Sequence, residues 1–125
     1  MIVESPISLG ELVDKLSILQ IKMNMIEDRE ALVHVRHEEQ LLSQKLESLN
    51  LPNINDHLIA LIEVNSLLWK IEDEIRELEK AQQFDSEFVE LARNVYKTND
   101  QRFILKRAVN ETFGSDVQEV ISYKG

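Results

Sequence analysis

Residues 55–82, NDHLIALIEVNSLLWKIEDEIRELEKAQ, decide the fold. The stretch contains neither Gly nor Pro. Leu61, Val64, Leu68, Ile71, Ile75 and Leu78 recur at three-to-four spacing, which lays one apolar stripe along a helix. At 1.5 Å per residue that helix is roughly 40 Å long, so it needs partners of similar length to cover its stripe.

Those partners are visible on both sides. Upstream, Asn50-Leu51-Pro52-Asn53 ends a helix predicted over about Arg29 to Leu49, with Asp28 as its cap and a seam of Leu32, Val35, Leu42, Leu46 and Leu49. Before that, Ser8-Leu9-Gly10-Glu11 reads as a capping box, in which Glu11 reaches back to the Ser8 amide. The helix it opens carries Leu9, Leu12, Val13, Leu16, Leu19, Met23 and Ile26 on one face. A second stripe, Ile18, Ile21 and Met25, makes it apolar on two sides, as in a helix that is central in its bundle or covered by another subunit. Downstream, Asp85 is a good N-cap, and Phe84 with Val89 is placed like a hydrophobic staple. The helix that follows continues to about Thr112, with Gly114 just past its end.

The expected fold is therefore all-α: an antiparallel bundle of about four long helices in a single domain spanning 1–125, with successive helices as neighbours. Ile2-Val3-Glu4 and the alternating Val117, Glu119, Ile121 and Tyr123 add a possible short two-stranded ribbon from the termini.

Composition narrows the function. There is no Cys, which removes disulfide scaffolds and Cys-ligated zinc and points to a reducing, cytoplasmic setting. The net charge of −9 disfavours the phosphate backbone, so no nucleic-acid partner is expected. No apolar run approaches the ~20 residues of a membrane span, and no signal peptide is read at the N-terminus.

Polar side chains in apolar arcs are the informative feature. On the last helix, Asn99, Arg102, Lys106 and Asn110 fall on the same face as Phe88, Leu91, Ala92, Val95, Phe103, Val109 and Phe113. On the third, Asn65, Trp69, Glu72, Arg76 and Glu79 flank the apolar stripe. If these two helices pack together, Glu72 and Glu79 reach Arg102, Lys106 or Arg93. A buried unpaired charge is very costly, so this arrangement implies either an interhelical ion-pair network or a pocket for a polar or anionic small molecule. Arg93, Tyr96 and Asp100 share a flank of the last helix, where Tyr96 can bridge an Arg93–Asp100 pair.

Other candidates are weaker. Glu72, Asp73, Glu74, Glu77 and Glu79 offer oxygen ligands of the kind magnesium takes, but only Asp100 answers them from the last helix. His34 and His37 are three apart on the second helix, opposite its seam and without a third ligand. No metal or cofactor is expected.

The blocks Leu68-Trp69-x-Ile71-Glu72-Asp73-x-Ile75-Arg76-x-x-Glu79 and Phe84-x-x-x-Phe88-x-x-Leu91-Ala92-Arg93-x-Val95-Tyr96-x-x-Asn99-Asp100-x-Arg102 resemble an uncharacterised family of short bacterial and phage proteins, a domain of unknown function. Ser8 to Leu16 is similar to that family's opening motif, and Lys106, Asn110, Gly114-Ser115 and Ser122-Tyr123 also fit. The resemblance covers nearly the whole chain, apart from the loop at Asn50 to Asn55 and the Val120-Ile121 stretch. Members occur near surface-polysaccharide genes, so the resemblance implies a link to surface-polysaccharide biosynthesis without implying an activity.

Three functions follow as expectations. The first is a non-enzymatic helical oligomerisation or interaction module, a homodimer or higher oligomer, with a buried polar network between the third and fourth helices. The second is a small bundle enzyme or binding protein for an anionic metabolite: Arg102 and Lys106 hold the anion, Asn99 and Asn110 orient it, and Glu72 or Asp100 serves as acid or base. The third is a magnesium-dependent nucleotide hydrolase.

Overall fold

A computed structural model describes residues 1–121, and they form four helices: α1 (Leu9–Met25), α2 (Arg29–Ser48), α3 (Ile54–Lys80) and α4 (Ser86–Phe113). The starts follow from local chemistry. Ser8, Asp28 and Asp85 each accept a backbone N–H of the first turn, from Glu11, Glu30 and Glu87 respectively. α1 ends in extended backbone at Ile26, and the later helices end at left-handed residues. Gly114 adopts φ 66° after α4, and the Ser115 N–H returns to the Asn110 carbonyl. After α3 the same role falls to Gln82 at φ 53°, with Gln83 donating to the Leu78 carbonyl. No strand occurs among the described residues, and no helix there is long and apolar enough to cross a membrane.

α1 is the central element, packed against α2, α3 and α4. Its core side carries Leu12, Val13 and Leu16, which cluster with Leu46, Leu58, Leu61, Val64 and Val109. Of the stripe Ile18, Ile21 and Met25, Ile21 is buried, Ile18 half-buried and Met25 exposed, so central placement inside one chain accounts for the stripe except at its Met25 end.

Three expectations about the bundle change. Successive helices are not all neighbours: α2 packs on α1, while α3 packs on α1 and α4 and leaves α2 aside. Left-handed Asn50 (φ 51°) and Asn53 (φ 61°) turn the chain sharply between α2 and α3, and Asn tolerates that conformation. Contacts at Gly10–Asn110 and Asp14–Arg102 run α1 antiparallel to α4 and hence parallel to α3. No terminal ribbon forms among the described residues: 2–4 and 117–121 contain no strand, and Tyr123 lies outside the described residues. At the C-terminal end Ser115 Oγ donates to the Val117 carbonyl and accepts the Leu9 N–H, so this segment turns back onto the start of α1. The staple also differs. Phe84 meets Phe88 edge to face at 5.2 Å, and Val89 is exposed.

Candidate functional site

The polar residues of α4 do point inward, but they meet α1. Gly10, Asp14, Ser17 and Ile21 repeat along α1 at four, three and four residues, and all four are buried. The small or polar side chains at the first three let α3 and α4 come close and hand them donors and acceptors.

Asp14 is the hub. Arg102 grips it bidentately, Nε to Oδ1 at 2.9 Å and Nη2 to Oδ2 at 2.6 Å. This fork-on-carboxylate geometry gives the strongest kind of side-chain hydrogen bond. From α3, Asn65 Nδ2 donates to Asp14 Oδ1 at 2.9 Å and to Ser17 Oγ at 2.8 Å. Ser17 Oγ in turn donates to the Asp14 carbonyl at 2.6 Å. The Asp14 side chain is 1% exposed and that of Arg102 is 27% exposed. The hydrogen bond to Asp14 raises the Arg102 pKa, outweighing the burial that opposes it.

One turn along α4, Lys106 forms a second centre. Its Nζ lies 2.9 Å from Glu11 Oε2 and 2.6 Å from Glu119 Oε2. The lysine is 9% exposed, and its two acids are 38% and 39% exposed. Burial on its own lowers the lysine pKa, but the bonds to Glu119 and Glu11 outweigh it and the net shift is upward. Glu11 therefore does not close a capping box; its carboxylate is spent on Lys106, while its N–H still takes the Ser8 hydroxyl at 3.1 Å.

The third contact joins the ends of α1 and α4. The Gly10 N–H donates to Asn110 Oδ1 at 2.7 Å, and the Leu9 N–H to Ser115 Oγ at 3.1 Å. A Cβ at residue 10 would collide with the Lys106 backbone carbonyl, so only glycine permits this approach. With Leu9, Gly10 and Glu11 all taken by side chains, three of the N–H groups that open α1 have protein partners in place of an anion.

Sequence patterning thus located Asn65, Arg102, Lys106 and Asn110, and the structure joins them through α1. It missed Asp14, Ser17, Glu11, Gly10 and Glu119. The signal for the first two was present: Asp14 and Ser17 interrupt Leu12, Val13, Leu16 and Leu19 at a spacing that faces a neighbour.

The remaining candidates lie apart from this centre. Glu72 and Glu79 do not reach Arg102 or Lys106, whose partners are Asp14, Glu11 and Glu119. The physical reason is register along the α3–α4 pair: Asn65 is the α3 residue level with Arg102, and Glu72 and Glu79 lie about two and about four turns further along α3. Arg76 pairs with Asp73 at 3.4 Å on the surface of α3. Arg93, Tyr96 and Asp100 are exposed, and no Arg93–Asp100 ion pair occurs among the described residues. Trp69 and Asn99 are half-buried. His34 and His37 are exposed, and no three His, Asp or Glu side chains gather to hold a metal among the described residues.

Two hollows of about 450 and 430 Å³ lie on the outer side of the α3–α4 pair, and neither is lined by Asp14, Arg102, Lys106 or Asn110.

A family model describing a family of unknown function, DUF6165, matches residues 1–125. The chain belongs to the DUF6165 family. Comparison with curated proteins and with solved structures gives no match. DUF6165 membership thus brings no activity with it, and the functional argument rests on the geometry above.

Proposed function

We propose that the domain is a non-enzymatic helical interaction module that acts as an oligomer, with the Asp14–Arg102 centre serving to fix the register of α1, α3 and α4. One observation carries this. The place where an anionic ligand would sit on Arg102 is filled by the chain's own carboxylate, in bidentate geometry. No buried side-chain nitrogen or oxygen among the described residues lacks a partner. A site built for a substrate keeps donors or acceptors open toward a concavity, whereas a satisfied network rigidifies a core and specifies one packing.

The competing reading is an anionic-metabolite site, with the surface-polysaccharide link as its setting. Thermal melting of the full chain with millimolar phosphate, citrate and a sugar phosphate separates the two. The module predicts no specific rise in melting temperature, and a lower melting temperature for Arg102→Met. A rise of several degrees with one anion, abolished in Arg102→Gln, would overturn it.

A further inference from the structure

The two outer hollows share Leu67 and Gln101, so they form one trough along the α3–α4 pair. Among the lining residues of α3, Ala60, Val64, Leu67 and Ile71 step by four, three and four, with Glu63 and Lys70 beside them. That is the spacing of an apolar seam, and two of its members, Val64 and Ile71, are already covered within the chain. The outer rim of the trough is open: Leu67 is 47% exposed and Ile104 is 62% exposed.

Charge identifies the occupant. The chain as a whole carries −9, yet the trough is lined by two acids, Glu63 and Glu74, and two bases, Lys70 and Lys97. A second copy, equally acidic, is repelled by the surface at large, and a balanced face is where that repulsion is relieved. A strongly basic partner would gain more almost anywhere else. The order of charges also suits self-pairing. Glu63 and Lys70 stand on either side of Leu67 along α3. A two-fold axis crossing the trough at Leu67 and Gln101 lays α3 antiparallel on α3 of the second copy. Glu63 then falls beside Lys70 of the second copy, and Lys70 beside its Glu63.

Resting on the interaction-module reading, we infer that the α3–α4 trough is the docking surface for a second copy of this chain, packed antiparallel about Leu67. Each copy contributes two helices, and the junction is a four-helix stack with reciprocal contacts of the kind a two-fold interface requires.

Sedimentation equilibrium of the full chain up to high micromolar concentration tests this. The expected species is a dimer. Ile104→Asp, at an exposed position that leaves the fold intact by circular dichroism, weakens it by at least about tenfold. Glu63→Lys and Lys70→Glu each weaken it by about tenfold, and the double variant returns to within about threefold of the parent, because the reciprocal pairs are restored with their signs exchanged. A monomer at every concentration overturns the inference. So does a dimer indifferent to Ile104→Asp, although that result leaves a module that associates through another face. A double variant weaker than either single one overturns the antiparallel arrangement.

Discussion

Arg102 and Lys106 stand one turn apart on α4, both turned toward α1 and both paired with acids, yet the two centres are built differently. The acid of Arg102 is sealed, held by two guanidinium bonds and one from Asn65. The acids of Lys106 keep much of their surface in water, and it is the lysine that is sealed. The cost of breaking an ion pair is set by the partner left behind. A stranded carboxylate in a dry interior is expensive, whereas one that can turn to solvent is not. Arg102 should therefore matter more to stability than Lys106, although Lys106 has more partners and is the better buried of the two.

The largest expected effect tests that ordering. Arg102→Met leaves Asp14 with Asn65 alone and should cost about 3–5 kcal/mol in urea unfolding. Adding Asp14→Asn to that variant should recover part of the loss, because the orphan is then neutral. A cost below about 1 kcal/mol would mean that Asp14 reaches water, and the contrast between the centres would vanish. Lys106→Met should cost less, about 1–2 kcal/mol, because Glu11 and Glu119 relax into solvent.

Titration sharpens the comparison. The folded pKa of Lys106 is raised above its ordinary 10.5. Its contribution is then complete below that value and is lost as the pH climbs through the folded pKa. Urea midpoints measured from about pH 8 to about pH 12 should fall at the alkaline end in the parent, and less steeply in Lys106→Met. Arg102 does not titrate in that range, so its pair persists throughout. Glu119→Gln should have the smallest effect, about 0.5 kcal/mol, because Glu11 still holds the ammonium.

How much of this was legible in the sequence depends on distance along the chain. Ser8, Asp28 and Asp85 each bond within their own first turn, so helix starts could be read directly. The inward phase of Arg102, Lys106 and Asn110 follows from helical periodicity alone. The partner could not be read, because both α1 and α3 offer acids at suitable spacing and only the packing order chooses. That order depends on the sharp turn at Asn50 and Asn53, which sets α3 beside α1 and away from α2. Glu72 and Glu79 were plausible by spacing but lost to Asp14 and Glu11, which α1 carries nearer the cations.

The seam at Gly10 bears on how the chain folds. Its hydrogen bonds connect residues 100 and 106 positions apart, while α3 and α4 are joined by a short turn. Closing so long a loop costs entropy before any contact is gained, and local pairs form first. The α3–α4 hairpin should therefore assemble early, with the first turn of α1 locking on last. A side chain forced in at residue 10 should speed unfolding and leave the folding rate almost untouched, which stopped-flow kinetics of Gly10→Ala would read directly.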